Sequence, residues 1–205
     1  MTLRFLPFLI ALALISPATQ AQKPVWNIDR FMQTMRANPG GETGFSEKKY
    51  LSMLEAPLES SGTLRYQAPD LLEMNIISPE RQSMRLEHET LTITQANHSN
   101  TLNLNDYPEL SALIGSIRST LAGDKAALEQ VFLIYLQGTE LHWKLTLLPK
   151  APDKIASVRR ISLTGETSFL HAVEIEMRDG DRSKLIIDTP KNPLEKAQAP
   201  QPVPQ

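Results

Sequence analysis

Apolar residues recur along the chain at two different spacings. Ile28, Phe31, Met32 and Met35 lie at i, i+3, i+4 and i+7, which predicts a short helix that begins after Asn27. Residues 38–41, Asn-Pro-Gly-Gly, should end it. From residue 45 to 93 the spacing falls to two, which predicts antiparallel strands with one apolar face. The alternating residues are Leu64 and Tyr66; Leu72, Met74 and Ile76; Met84 and Leu86; Leu91 and Ile93.

Four segments between these residues have the composition of turns. They are Ser60-Ser61-Gly62, Ala68-Pro69-Asp70, Ser78-Pro79 and His88-Glu89-Thr90. Successive hairpins follow from this arrangement.

A second helix is predicted from residue 106 onward. Asp106 is a candidate cap, Pro108 lies near the first turn, and Glu109 completes the spacing of a capping box. Gly123 should end this helix, and Asp124 should cap a shorter one through Leu128. The apolar stripe of the second helix is Leu110, Leu113, Ile114, Ile117 and Leu121.

Strand alternation then returns, and the last hairpin should turn at Asp179-Gly180. The alternating positions lie in residues 131–136, 141–147, 158–163, 173–177 and 185–187. We therefore expect a mainly β fold with helices (α+β): a curved, incompletely closed antiparallel β-barrel that holds helices against its concave side. Its interior is either a packed core or a ligand cavity. The apolar face is rich in Leu, Ile and Met, which suits an adaptable pocket for acyl chains and equally suits an ordinary core.

The two ends of the chain differ from the middle. Residues 1–21 combine Arg4, an apolar run and a small-residue exit, which is typical of a cleaved signal peptide. A membrane-spanning helix is the alternative, but Pro17 interrupts the run before it reaches about 20 apolar residues. Residues 22–188 then form one domain. Residues 189–205 are rich in proline and predict a disordered tail, with a docking strap for a partner as the alternative.

Composition narrows the compartment and the partners. The chain has no cysteine, so it carries neither a lipid anchor on cysteine nor a disulfide. An export signal without disulfides indicates the periplasm of a Gram-negative bacterium. With 21 Lys and Arg against 23 Asp and Glu, and no basic block, we expect no nucleic-acid partner.

Motifs for catalysis, metals and cofactors are absent from the sequence. His88 and His98 fall at predicted turns, His142 and His171 on predicted strands, and no two of them have metal-ligand spacing. No nucleophile elbow, phosphate loop or dinucleotide fingerprint occurs. We therefore predict no catalytic residue, no metal and no cofactor.

The order of several short motifs resembles the outer-membrane lipoprotein carrier family, LolA-like. They are residues 45–50 (Phe-Ser-Glu-Lys-Lys-Tyr), residues 61–74 from Ser-Gly-Thr-Leu to Leu-Glu-Met, residues 91–93, residues 143–150 and residues 179–183. The resemblance covers about residues 27–188. It implies a periplasmic carrier or chaperone, not an enzyme, that shelters acyl chains of a lipoprotein or other lipid in an apolar cavity on the way to the outer membrane.

The resemblance also assigns roles to residues and partners. Inner-membrane donor and outer-membrane acceptor proteins are implied, and we expect a monomer. In the family an arginine just before the turn proline holds the lid, and here Ala68 stands at that place. A sensor or adaptor module that binds an envelope partner with the same half-barrel is the alternative. The predicted lid residues are Leu110, Leu113, Ile114 and Ile117, and the predicted cavity residues are Leu64, Tyr66, Leu72, Met74, Ile76, Met84, Leu86, Leu91, Ile93, Trp143, Leu145 and Leu147.

Overall fold

A computed structural model describes residues 25–151 and 155–189. The predicted signal peptide and almost all of the predicted tail lie outside these ranges. The helices are α1 (Ile28–Arg36), α2 (Pro108–Leu121) and α3 (Lys125–Val131), with a 3₁₀ turn at Leu104–Asp106. The strands are β1 (Gly40–Tyr50), β2 (Leu58–Gln67), β3 (Leu71–Ser78), β4 (Gln82–Glu87), β5 (Thr90–Gln95), β6 (His98–Asn103), β7 (Phe132–Thr139), β8 (His142–Pro149), β9 (Val158–Glu166), β10 (Phe169–Met177) and β11 (Arg182–Ile187).

All of these strands belong to one antiparallel sheet of 11 strands. Its order is β6-β5-β4-β3-β2-β1-β11-β10-β9-β8-β7, so β1 and β11 join an N-terminal half to a C-terminal half. β6 and β7 are the two edges and do not pair with each other, so the sheet is not closed. The predicted fold class, a mainly β protein with an incompletely closed sheet and helices, is confirmed.

The helix α1 forms as its sequence predicts. The Asn27 side chain accepts a hydrogen bond from the Arg30 backbone N–H at 2.9 Å, which satisfies one of the free donors of the first turn. Phe31, Met32 and Met35 are buried, and the Phe31 ring meets the Trp143 ring edge-on with centroids 4.8 Å apart. The apolar stripe of α1 therefore fixes this helix against β8.

Two strand predictions were wrong. Residues 60–62 do not form a turn but lie inside β2, where the register shifts between Ser61 and Gly62. A Cβ atom at Gly62 would lie 1.8 Å from the Asn75 carbonyl oxygen, so glycine is present for close contact between strands rather than for a turn. β6 was missed, and His98 begins that strand instead of lying in a turn. The only apolar residue of β6 is Leu102, so the pattern gave no signal.

The capping box predicted for α2 was also wrong. Asp106 belongs to the 3₁₀ turn, Tyr107 occupies the N-cap of α2, and no side chain caps it. Glu109 instead binds Ser157, far along the chain. The shorter helix does start as predicted, because the Asp124 side chain accepts from the Ala127 N–H at 3.0 Å.

The main core lies between the C-terminal half of the sheet and the helices α1 and α3, with part of α2. The buried residues of this main core are Phe31, Met32, Met35, Tyr66, Leu121, Leu128, Phe132, Trp143, Leu145, Leu147, Ile155, Val158, Ile161, Leu163, Leu170 and Val173.

None of the helices in residues 25–151 and 155–189 is long and apolar enough to cross a membrane.

Candidate functional site

The predicted cavity residues of β2 to β5 lie on one face of the sheet. Directly paired residues on neighbouring antiparallel strands point to the same side. Leu64 pairs with Met74, Met74 with Met84, and Met84 with Ile93. A second row on the same face runs through Tyr66, Leu72, Leu86 and Leu91.

The predicted cavity residues of β8 have a different environment. Trp143, Leu145 and Leu147 are 2%, 0% and 0% exposed, and all three belong to the main core. The Trp143 indole N–H donates to the Thr167 carbonyl at 2.9 Å. In this conformation these three side chains are packed against protein and leave no space for a ligand.

The N-terminal half of the same face is much less covered. Leu86, Leu91 and Leu104 form a small second cluster there, with Leu72, Met84 and Ile93 only partly buried against it. Leu64, Met74 and Ile76 are partly exposed and belong to neither cluster of the described residues. We call Leu64, Met74, Ile76, Met84 and Ile93 the open face.

The helix α2 spans both clusters. Leu110 and Ile114 pack against the second cluster, whereas Leu113 and Ile117 pack against the main core. All four of these predicted lid residues are only partly buried. The helix therefore retains apolar surface that could contact something besides the protein.

The deepest positions of α2 include two hydroxyl residues. Ser116 is 2% exposed and Thr120 is 0% exposed. The Ser116 hydroxyl donates to the Leu113 carbonyl and the Thr120 hydroxyl donates to the Ser116 carbonyl, both at 2.7 Å. Both hydroxyls are thus satisfied within α2 itself.

Polar side chains attach α2 to the rest of the molecule near each end. Arg118 lies 2.8 Å from the Glu89 carboxylate and also donates to the His88 carbonyl, so it ties the C-terminal half of α2 to the β4–β5 turn. At the other end, the Glu109 carboxylate accepts from the Ser157 hydroxyl at 2.6 Å and from the Ser157 backbone N–H at 3.2 Å. These hydrogen bonds lower the pKa of Glu109 below its usual value.

A pocket of about 340 Å³ continues the open face at the β5–β6 hairpin. Its lining is Ile93, Gln95, Ala96, His98 and Asn100, and Ile93 and Asn100 are paired on the sheet. No group of three or more potential metal ligands occurs in residues 25–151 and 155–189. The arrangement can hold an apolar ligand, with amide and imidazole groups at one end of it.

Sequence reasoning missed the residues that depend on long-range contacts. Arg118 and Glu89 carry no motif, and Gln95, His98 and Asn100 flank or belong to the strand that was missed. Among the site residues that were not predicted, the spacing of apolar residues could have identified only Leu104, which lies just before α2. At the family's usual arginine position, Ala68 has no side chain that could hold α2.

A family model described as "Outer membrane lipoprotein carrier protein LolA-like" matches residues 20–201. Among solved structures, the chain is similar to a LolA superfamily protein from Nitrosomonas europaea, with 10% identity, 79% of this chain and 90% of that chain covered, and a TM-score of 0.45. A DUF1329 family protein from Desulfovibrio piger has 9% identity, 79% and 89% coverage and a TM-score of 0.47. LprF from Mycobacterium bovis has 12% identity, 79% and 91% coverage and a TM-score of 0.37. A comparison with curated protein sequences found no match. Because the family model covers most of the chain, the protein belongs to the LolA-like family of outer membrane lipoprotein carrier proteins.

Proposed function

We propose that this protein is a periplasmic carrier or chaperone that shelters acyl chains of a lipoprotein or other lipid between the open face and α2. The observation that supports this most directly is the partly exposed open face. Leu64, Met74 and Ile76 are partly exposed and belong to neither apolar cluster of the described residues, although Leu145 and Leu147 on the other half of the same face are fully buried. Apolar surface left open beside a helix favours a transient apolar ligand over an incomplete core.

The free energy of burial suits such a ligand. Each methylene group removed from water contributes about 0.8 kcal/mol, so an acyl chain gains substantially from a shallow apolar hollow. The methionines of the open face, Met74 and Met84, are flexible and can adapt to chains of different length. Binding needs no catalytic group, in keeping with a carrier rather than an enzyme.

Transfer requires that the ligand can also leave. The polar attachments of α2 through Glu109 and Arg118 are few and lie near the surface, so movement of the helix is opposed mainly by its apolar contacts with the two clusters. In this proposal the signal peptide directs export and is cleaved after residue 21. The protein then receives its cargo from an inner-membrane donor and delivers it to an outer-membrane acceptor.

A binding titration with a fluorescent fatty acid tests this function. Met74→Glu and Met84→Glu place a charge on the open face, and each should weaken binding about tenfold or more, because an unpaired charge in an apolar site is costly. Ile77→Glu is the matched control. Ile77 is 53% exposed on β3, three residues after Met74, and points to the opposite face, so binding should be unchanged.

Lipid extraction completes the test. The mature protein, residues 22–205, purified from a bacterial periplasm should carry lipid that mass spectrometry detects. If it carries none and the wild-type protein does not bind the fluorescent probe, the proposed function is wrong. Circular dichroism of each variant separates loss of binding from loss of folding.

A further inference from the structure

Exposed apolar residues lie at the β7 edge of the sheet, away from the open face. Leu133 and Tyr135 on β7 are 45% and 51% exposed, and Leu141 in the following turn is 62% exposed. β7 has eight residues and contains neither a charged residue nor proline. Edge strands usually carry such residues because they discourage unwanted pairing, so an uncharged apolar edge indicates a contact surface.

A groove of about 540 Å³ runs beside this edge. It lies between the start of α1 and β7, and no charged side chain lines it. Its main lining residues are Trp26, Ile28, Ile134, Tyr135, Leu136 and Gly138.

The groove carries hydrogen-bond donors that have no partner among the described residues. The Trp26 indole nitrogen is buried and has no acceptor in the described part of the chain. Leaving such a donor unpaired costs about 1–3 kcal/mol. The Val131 carbonyl accepts from the Lys150 N–H, so strand alternation directs the amides of Ile134 and Leu136 away from β8 and out of the sheet.

We propose that this groove binds the proline-rich C-terminal segment of the same chain, with residues 200–205 seated beside Trp26. The register of the sheet supports this occupant. Gly138 pairs with Trp143, Trp143 with Gly165, and Gly165 with Leu170. These paired residues form a line across the sheet. β11 ends at Ile187, just beyond the Ala172–Ile186 pair, so the chain leaves the sheet near the end of the line that leads to Gly138.

The segment has the length that this path needs. From β11 to β7 there are four strand spacings of about 4.8 Å, roughly 19 Å in all. Residues 190–199 can span about 31 Å as an extended polyproline-type chain. Residues 200–205 then cover about 19 Å, close to the roughly 17 Å that residues 134–138 occupy along β7.

The chemistry of the segment also matches the groove. Lys191, Glu195 and Lys196 fall in the part that bridges, whereas residues 200–205, Pro-Gln-Pro-Val-Pro-Gln, have no charged side chain. Prolines cannot donate from the backbone but keep their carbonyl acceptors, and the groove presents unpaired donors. Aromatic grooves bind proline-rich segments in this way, and a tryptophan indole can donate to a peptide carbonyl. Linkage within one chain adds an effective concentration in the millimolar range.

The two indole N–H resonances of the protein provide the test. Trp26 and Trp143 are its only tryptophans, and Trp26→Phe assigns their peaks in a ¹H–¹⁵N correlation spectrum. Deleting residues 190–205 from the mature protein should move the Trp26 peak by more than its linewidth. The Trp143 peak should stay in place, because its N–H already donates to Thr167. Replacing residues 200–205 by a Gly-Ser sequence of equal length should move the Trp26 peak as the deletion does.

Three results would overturn the proposal. The Trp26 peak could be identical in the full-length and shortened proteins, which would show that the tail does not reach the groove. It could be restored by the Gly-Ser sequence, which would show that proline chemistry is irrelevant. Its position could depend on protein concentration, which would assign the groove to a second copy of the chain. Fatty-acid binding at the open face is measured separately, so either proposal can fail alone.

Discussion

Single residues decide how α2 is held, and their partners lie far away in sequence. Glu109 has the spacing of a local capping residue, yet its carboxylate binds Ser157, 48 positions along the chain. Sequence spacing could locate Glu109 at the start of the helix but could not reveal this partner. The contact forms only because the sheet brings the segment before β9 beside α2.

The lowered pKa of Glu109 predicts a dependence on pH. A carboxylate whose folded pKa is depressed stabilises the folded contact above its unfolded pKa of about 4.5, and this stabilisation disappears as the pH falls through the lower folded value. We therefore expect the hydrogen-exchange protection factors of α2 amides, which correct for the intrinsic pH dependence of exchange, to fall below about pH 4.5. Glu109→Gln removes the titrating group, so this fall should be absent in the variant. An equal fall in both proteins would contradict the role of Glu109.

At the scale of elements, α2 is attached differently from the lid of the family pattern. There an arginine on the sheet side holds the helix, whereas Arg118 lies on α2 and reaches to Glu89 and the His88 carbonyl. In this chain the arginine that attaches α2 therefore lies on the helix and its acceptors lie in the β4–β5 turn. Ala68 alone would have suggested that no such attachment exists.

Loss of the Arg118 contact should loosen α2. Arg118→Met keeps the aliphatic stem but removes the charge, and we expect release of a fluorescent fatty acid to become about five times faster, since a partly exposed pair contributes about 1 kcal/mol. Stopped-flow displacement by unlabelled fatty acid measures this rate. Arg85→Met is the control, because Arg85 is paired with Glu73 and Glu87 on the outer face of β4. A similar acceleration in both variants would rule out a specific role for Arg118.

At the scale of the whole molecule, one continuous sheet face is used in two ways. Leu145 and Leu64 have the same alternation, yet Leu145 is 0% exposed in the main core whereas Leu64 is partly exposed on the open face. The helices determine this difference: α1, α3 and part of α2 cover the C-terminal half, whereas only the rest of α2 covers the N-terminal half.

Matched truncations should reveal these two environments. Leu145→Ala should lower the free energy of unfolding by about 2–5 kcal/mol, because it leaves a cavity in a packed core. Leu64→Ala should cost less than about 1 kcal/mol, because the side chain is already partly in water. Urea denaturation of the two ligand-free variants makes the comparison. Equal losses would mean that the open face is ordinary core.

The sequence predicted the class of the fold and the order of most elements, since alternation and helical spacing are local signals. β6 was missed because an edge strand with one apolar residue is held mainly by backbone pairing. The turn at residues 60–62 was predicted wrongly because glycine serves close strand contact as well as turns. The division of the face into packed and open halves was beyond local patterns, because it depends on which helices fold back over which strands.

The hydroxyls buried on α2 have a mechanical consequence. When a helix leaves a protein surface, polar groups on the helix and on the surface usually lose their hydrogen-bond partners, and this cost opposes the movement. Ser116 and Thr120 bond only to carbonyls of their own helix, so they carry their acceptors with them when α2 moves. When α2 moves, these two buried hydroxyls therefore keep their hydrogen bonds, and no polar group of the sheet loses a partner at their positions.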